Sequence, residues 1–369
     1  MQKALIESFG LGYANPSSFH ARGQRCRHAI EEARETIASE IGAEPGDLVF
    51  TSGGTEADNL AVKGVMAVQK EKGRDHLVIS SVEHQAVLHP AEFLRSHGYS
   101  ITVVPVDRRG HVDLEALGKA VNARTGLVSV MHANNEVGTY QDVQAVSRIA
   151  HAAGALFHVD AVQTFGKIRL SAEDLGADLI SLSSHKICGP KGTGALYAKK
   201  GVKLRALLHG GHQEKNVRPG TENVHGIFGF ARAVQVASEL REVEMRRVHA
   251  LRDQLERGLL TALGGLSVNG DEHARLYNTT SLTFDGLDGE TLLMNLDLKG
   301  IYVSTGSACT AGSVEPSHVL LAMGLSEKAA RGTIRFSLGR FSTDTEVDHV
   351  LKELPPIVDR LRAAHTGKR

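Results

Sequence analysis

Phe157-His158-Val159-Asp160-Ala161-Val162-Gln163 and Ser181-Leu182-Ser183-Ser184-His185-Lys186-Ile187-Cys188-Gly189-Pro190-Lys191-Gly192 are the two stretches on which the reading of this chain turns. The first is an apolar run that closes on a polar tip, as a strand buried on both faces does. The second sets a lysine among small residues directly after another apolar run. Strands of this kind put their polar ends at the carboxyl edge of a parallel sheet, where such sheets bind ligands. A lysine beside a glycine loop is more often a solvated surface residue. The weight of Lys186 therefore rests on the rest of the chain.

Working outward, strand-like runs at 47–50, 76–80, 101–104, 126–131, 155–160 and 177–182 alternate with helical periodicity over 57–69, 84–95, 114–121 and 143–152. The alternation predicts an α/β fold with a mostly parallel sheet wrapped by helices. Beyond about residue 230 the pattern changes. Residues 231–263 read as one long amphipathic helix, and the remainder mixes strands (279–284, 332–337) with helices (289–298, 344–363). The expected organisation is a large domain over 1–240 and a smaller C-terminal α+β domain over 241–369.

The 369 residues carry 42 Lys plus Arg against 42 Asp plus Glu, and no basic run stands out, so neither balance nor patterning points to nucleic acid. No apolar stretch approaches the roughly 18 residues of a membrane span. The N-terminus reads as a helix without the apolar core and cleavage site of a signal peptide. Three scattered cysteines form neither a disulfide framework nor a zinc spacing. A reducing, cytoplasmic setting is expected.

The polar tips carry the chemistry. Ser52-Gly53-Gly54-Thr55-Glu56 sits between a strand and a helix; it reads as a phosphate seat at a helix N-terminus or as a simple turn capped by Thr55. His84 opens the next helix and reads as a ring-stacking, proton-moving histidine or as a cap. Asn134 and Asn135 end the strand before Glu136. They read as turn residues or as hydrogen-bonding groups for a ligand ring or carboxylate. Asp160 and Lys186 together suggest a Schiff-base lysine with an acid for a pyridinium nitrogen, the way pyridoxal phosphate is held. Gln163 would donate to the ring oxygen. Cys309 lies in Ser304-Thr305-Gly306-Ser307-Ala308-Cys309-Thr310-Ala311-Gly312, a setting for an exposed nucleophile rather than a packed thiol. Cys26 and Cys188 lack such a setting and read as structural, Cys188 within an extended segment. Arg335 lies in an apolar strand and needs an anion, either a substrate carboxylate or an internal partner.

With Cys309 set beside Lys186, Asp160 and His84, the chain resembles the cysteine desulfurases of the class V aminotransferase group, within the fold-type I pyridoxal phosphate enzymes. The resemblance runs from Asn15 to about Ser342. It rests on TSGGTEADN (51–59), EHQAV (83–87), ANNEVG (133–138), HVDAVQ (158–163), SHKICGPKG (184–192), RPGTEN (218–223), STGSACTAG (304–312) and EPSHVL (315–320). The long serine- and glycine-rich cysteine loop resembles the subgroup serving general iron–sulfur assembly and nitrogenase maturation. It differs from the subgroup with a short loop and an Arg-x-Gly-His-His motif.

The resemblance implies the following roles. Lys186 forms the imine with pyridoxal 5'-phosphate and shuttles the Cα proton, Asp160 pairs with the ring nitrogen, and His84 stacks on the ring and assists proton transfer. Gln163 and Asn135 bind the ring oxygen and the substrate side. Gly54, Thr55, Ser183 and His185 hold the phosphate, with Thr221 reaching in from a second copy of a homodimer. Asn15 and Arg335 take the carboxylate of L-cysteine. Cys309 attacks the substrate sulfur, keeps it as a persulfide and releases alanine. A sulfur-acceptor protein, an iron–sulfur scaffold or a sulfur carrier, is the implied partner. No metal site is expected beyond an iron–sulfur contact through Cys309.

The chain departs from the family pattern in three places. The usual opening segment of the type Tyr-(Leu/Phe)-Asp-x-x-(Ala/Ser)-Thr-Thr, which lines the substrate pocket, is not in this sequence. The usual Gly-Gly-Gly reads Gly210-Gly211-His212, and the chain stops at Arg369, short of the tail with which related enzymes dock their scaffold. Two rival readings remain: another class V lyase or aminotransferase, or an inactive paralogue acting as a partner protein. Cys309 speaks against the first, and the intact set of Lys186, Asp160, His84 and Cys309 against the second.

Overall fold

The computed structural model describes residues 2–10, 14–306 and 315–366; Cys309, with the rest of 307–314, lies outside the described residues. The chain divides into two compact units, Met1–Val104 with Asp113–His132 and Gln141–Arg241, and Pro105–Val112 with Ala133–Tyr140 and Glu242–Arg369.

In the first unit, helices α1 (Gln2–Phe9) and α2 (Ala21–Glu40) precede strand β1 (Leu48–Thr51). Then follow α3 (Gly54–Asn59), a π-helical turn over Leu60–Gly64, α4 (Val65–Glu71), β2 (His76–Ser80), α5 (Gln85–Ser96) and β3 (Ser100–Val104). The unit continues through α6 (Leu114–Ala120), β4 (Thr125–Ser129), α7 (Val143–Ala152), β5 (Leu156–Asp160), α8 (Ala172–Leu175), β6 (Leu179–Ser183) and β7 (Gly194–Ala198). The strands form one sheet in the order β1-β7-β6-β5-β4-β2-β3. The pairs β2–β3, β2–β4, β4–β5 and β5–β6 are parallel, whereas β7 runs antiparallel to both its neighbours. Every residue of β2, β4 and β6 is buried, the reason these strands show no alternation of apolar and charged residues. β7 escapes a sequence reading because Gly194-Ala195-Leu196-Tyr197-Ala198 follows a glycine turn with no alternation of its own.

The edge strand β1 is closed by an ion pair. Arg34 Nη1 donates to Leu48 O at 2.9 Å, and Phe50 N donates to Glu214 Oε2 at 2.8 Å. Arg34 and Glu214 meet fork to fork at 2.9 and 2.6 Å, both nearly buried, and the guanidinium lies 4.5 Å over the Phe50 ring. Glu214, Lys215 and Asn216 take φ values of 42°, 57° and 66°, left-handed backbone that costs non-glycine residues free energy. The carboxylate contacts offset that strain. Glu214→Ala would leave the buried Arg34 with only Glu31, 3.0 Å from its Nε, as an acidic partner, and should lower the free energy of unfolding by about 3 kcal/mol. Urea titration measures it; a loss below about 1 kcal/mol, the range of a surface pair, would remove the pair as an anchor.

Helix α9 (Val224–Ala262) starts earlier than the periodicity suggested, because Asn223 Oδ1 accepts from Gly226 N at 3.0 Å and caps it. Gly229 hid that start: it lies in an early turn, where an added Cβ would meet Pro190 Cγ at 2.6 Å. The unit boundary falls inside α9, after Arg241.

In the second unit, β8 (Leu266–Asn269), β9 (Thr279–Phe284), β10 (Ser304–Thr305) and β11 (Thr333–Ser337) form an antiparallel sheet in the order β10-β11-β9-β8. Helices α10 (Gly289–Asp297), α11 (His318–Ala322), α12 (Glu327–Arg331) and α13 (Asp344–Thr366) accompany it. Val248, Leu251, Leu255 and Leu259, spaced for one helix face, pack with Leu282, Phe284, Ile334, Phe336 and Leu354 into its core. Pro105–Val112 and Ala133–Tyr140 join this unit although contiguous boundaries at 240/241 would not contain them. A bridge from Thr139 to Arg275 ties the second segment in, and Arg275 is itself held by Glu256 at 2.7 and 2.8 Å.

Candidate active site

The first unit gathers its chemistry at the carboxyl edge of the sheet. β1 runs into Ser52-Gly53-Gly54-Thr55, and Gly53 takes φ 154° and ψ −177°, a conformation that glycine alone enters readily. The helix cap is Gly53, not Thr55 as the turn reading had it, because the chain enters the helix two residues earlier. A Cβ on Gly54 would stand 2.8 Å from Val162 Cγ2, so the backbone itself fills this corner. Ser52 N is taken by Glu56 Oε2 at 2.8 Å, and Glu56 is held by Arg218 Nε at 2.9 Å. First-turn N–H groups have no acceptor within their helix and point at whatever lies before it.

His84 is the N-cap of α5, its Nδ1 accepting from Ala86 N at 3.1 Å. The cap and the chemical role are therefore compatible. Nδ1 is engaged as an acceptor, which leaves the proton of the neutral ring on Nε2. Burial lowers the His84 pKa; Asp160 opposes this and Lys186 adds to it. Asp160, at the end of β5, accepts from Val162 N at 2.9 Å through Oδ1. Burial raises its pKa, against the Val162 hydrogen bond and the charges of His84 and Lys186. His84 at the N-cap of α5, Asp160 at the end of β5 and Lys186 after β6 thus stand at the same edge of the sheet.

Beneath Asp160 lies a buried polar layer that the sequence reading missed. His158 is bonded through Nδ1 to Ser129 Oγ at 2.8 Å and through Nε2 to Ser181 Oγ at 2.9 Å, and burial pushes it down to about 3. Burial holds Asp58 well above the usual carboxylate range, and the Asp160 charge adds to this. Glu83 accepts from Ser80 Oγ at 2.5 Å and Met131 N at 3.0 Å, and burial pushes it up to about 8. Burial thus disfavours the charged forms of Asp58, Glu83 and His158, whereas the charges of His84 and Lys186 act to favour the carboxylate of Asp160. Asp58 and Glu83 stand inside the motifs, beside the residues that drew attention. His158 could have been found, since it precedes Asp160 by two on β5 and so shares its face.

Lys186 follows β6 in a 3-10 turn over Ser184–Ile187 and is exposed, as is His185, whose Nδ1 bonds to Ser183 Oγ at 2.8 Å. Cys188 corrects the sequence reading. It is exposed and left-handed at φ 64°, capping this turn rather than lying in an extended, structural segment. The turn closes by Cys188 N to His185 O and Gly189 N to Ser184 O, which forces the chain to reverse there. Cys26, by contrast, is buried as expected. Gln163 Oε1 accepts from Lys167 Nζ at 3.2 Å, which leaves its amide N–H groups as donors. Asn15 is exposed and accepts from Ser17 N at 2.9 Å; Thr221 is exposed on the loop before α9.

Asn135 and Arg335 belong to the second unit. Arg335 Nη1 donates to Asn135 O at 2.8 Å, while Arg335 Nε is buried without a hydrogen-bond partner. The guanidinium thus has an internal partner and a donor left for an anion. Asn134 builds the turn itself, its Oδ1 accepting from Glu136 N at 2.8 Å and Val137 N at 3.0 Å. Cys309 lies outside the described residues. Among the described residues, no group of three or more His, Cys, Asp or Glu side chains is placed to hold a metal ion, and no helix is long and apolar enough to cross a membrane.

Residues 2–350 match the family model described as aminotransferase class-V. The chain is similar to a protein of Dictyoglomus turgidum named cysteine desulfurase IscS, 47% identical over 369 residues, covering 100% of this chain and 92% of that protein. Among solved structures it is similar to one titled NifS-like protein, with a TM-score of 0.91 and 41% identity over 98% of this chain and 96% of the other. A structure titled SspA in complex with cysteine matches with a TM-score of 0.79 and 35% identity over 92% of this chain and 96% of the other.

Proposed function

The chain belongs to the aminotransferase class-V family, and from that premise we propose that it is a pyridoxal-phosphate-dependent cysteine desulfurase that converts L-cysteine to L-alanine and holds the sulfur on Cys309. The observation that carries this reading is the placement of His84, Asp160 and Lys186 at the carboxyl edge of one sheet, at the N-cap of α5, the end of β5 and the turn after β6. The whole-length likeness to proteins named cysteine desulfurase supports it, as does the relative solved with cysteine.

The donor set fits the cofactor. Asp160 would hold the proton on the pyridine nitrogen, and Lys186 offers an amine for the aldehyde. The first-turn amides of Gly54 and Thr55, with the Ser183–His185 pair, suit a phosphate dianion. Gln163 and Asn135 would hydrogen-bond the ring oxygen and substrate side, and His84 would lie against the ring. When bound, pyridoxal phosphate supplies the electron sink that makes the substrate Cα proton acidic.

The protein's own groups do the rest. Lys186 takes the Cα proton and returns it, and His84 assists with the neutral ring that burial maintains. Asn15 and Arg335 take the substrate carboxylate. The Cys309 thiolate attacks the substrate sulfur: the new S–S bond forms, the C–S bond breaks with its electron pair going to carbon, and protonation there completes alanine. Cysteine plus enzyme thiol thus become alanine plus enzyme persulfide. The chain acts as a cytoplasmic homodimer in which Thr221 of one copy completes the phosphate seat of the other, and the smaller domain over 241–369 carries the cysteine loop. It passes sulfur to an acceptor protein, an iron–sulfur scaffold or a sulfur carrier.

Incubation of the protein with pyridoxal phosphate, L-cysteine and a reductant should yield alanine and sulfide in equal amounts. Mass spectrometry without reductant should locate the persulfide on the Cys309 peptide. A keto acid in place of alanine, or alanine without sulfide, would assign the chain to other class V chemistry.

A further inference from the structure

Where the end of β1, the turn before β7 and the loop before α9 meet, the first unit forms a cavity of about 50 Å³. Thr51, Ser52, Thr193, Gly220 and Glu222 are among the residues that line it. A single water needs about 10–15 Å³, so the space takes a small ion or a few waters. Ser52 and Gly220 are exposed, which opens the cavity to ions from solution.

Two of its lining side chains are buried with an oxygen unpaired. The Glu222 side chain is 2% exposed, and its Oε2 has no hydrogen-bond partner among the described residues. Thr193 is 1% exposed, and its Oγ1 lacks a partner there as well. A buried carboxylate is costly unless a cation or strong donors compensate it. Glu222 Oε1 has Arg27 Nη1 at 3.4 Å, but Arg27 is half-exposed and also gives its Nε to Glu31 at 3.1 Å.

The surrounding ion pairs do not close this balance. Two other charged residues line the cavity, and both are engaged: Glu214 by Arg34, and Arg218 by Glu56 at 2.9 Å. Arg34 also bonds Glu31. In this network four carboxylates, those of Glu31, Glu56, Glu214 and Glu222, meet three guanidiniums, those of Arg27, Arg34 and Arg218. One negative charge is left over, and Glu222 is the buried carboxylate with the weakest partner.

We propose that this cavity binds one monovalent metal cation, sodium or potassium, with Glu222 Oε2 and Thr193 Oγ1 among its oxygen ligands. A singly charged ion supplies the one charge that is missing. Calcium asks for about six to eight oxygens with several carboxylates among them. Among the described residues, no group of three or more His, Cys, Asp or Glu side chains is placed to hold such an ion. Water would satisfy the hydrogen bonds and leave the charge uncompensated. The ion would tie β1, β7 and the loop before α9 together, so its effect is read in stability. The site does not depend on the reading of Cys309 or Lys186.

The test melts the full chain in choline, sodium and potassium chloride at matched concentration, choline being too large for the cavity. Equilibrium dialysis with radioactive rubidium, a potassium-sized probe, counts the bound ion. Wild type should melt about 2 °C or more higher in sodium or potassium than in choline, and should bind one rubidium ion per chain. Glu222→Gln keeps the shape without the charge and should lose both the shift and the rubidium. In choline it should melt no lower than wild type, because it removes a buried charge that lacks a full partner. Thr193→Val should weaken rubidium binding by about tenfold, whereas Thr193→Ser, which keeps the hydroxyl, should stay within about twofold.

Equal melting in the three salts with no rubidium bound would overturn the proposal and leave the cavity to water. A cation effect undiminished in both Glu222→Gln and Thr193→Val would overturn it as well, by placing the ion elsewhere. If Glu222→Gln does not fold, the rubidium affinities of the two Thr193 variants decide. None of these readouts uses L-cysteine or pyridoxal phosphate, so failure here and failure of the proposed function are separate results.

Discussion

Cys309→Ser is expected to end sulfide release, a loss of about a thousandfold or more, while the cofactor-binding unit keeps its properties. A serine hydroxyl is a slightly smaller replacement for the thiol that cannot accept the substrate sulfur to form a persulfide, and at neutral pH it is not ionised. His84, Asp160, Ser183, His185 and Lys186 are all retained in the variant, so the cofactor's visible absorbance should be unchanged. Alanine and sulfide should fall together, because C–S cleavage needs the attacking sulfur. Cys188 makes this a strict test. It is exposed and only two residues after Lys186 in the same turn. Residual sulfide that vanishes on adding Cys188→Ser would show that Cys188 is the nucleophile, and the assignment of Cys309 would fall.

Lys186→Ala should cost activity by about a thousandfold or more, since covalent attachment and proton transfer are both lost with one amine. The measurement that isolates the lysine is not activity but labelling. Borohydride treatment of the cofactor-loaded wild type should fix the cofactor irreversibly on the peptide containing His185-Lys186-Ile187, and the variant should lose both that label and the associated visible band. Asp160 and the Ser183–His185 pair remain, so the variant should still bind the cofactor reversibly. Its melting temperature should be close to wild type, because Lys186 is exposed and contributes little buried surface. A labelled peptide elsewhere in the chain, or a retained band, would move the role to another lysine.

The sheet was legible because burial on both faces writes itself as apolar runs, as in Leu77-Val78-Ile79 and Leu179-Ile180-Ser181-Leu182. The polar tips were legible for the same reason: Asp160, His84 and Lys186 stand out where an apolar strand stops. The family likeness then rested on short motifs that local sequence alone can display. Cys188 shows the limit. Nothing in Lys186-Ile187-Cys188-Gly189 announces a left-handed residue at the end of a 3-10 turn, because that conformation follows from hydrogen bonds back to Ser184 and His185.

What the linear chain determined by itself was therefore the order of its elements and the identity of the groups at the strand ends. Those depend on side-chain character and near neighbours. Only the tertiary structure decided which polar groups are buried together. Asp58, Glu83, His158 and Asp160 come from distant positions, and their protonation follows from lost solvent and from one another's charge. The same holds for Glu214, which reaches back to Arg34 across 180 positions, and for Glu136, which meets Ser317 across 181. Burial and long-range pairing are properties of the packed chain, and no local pattern encodes them.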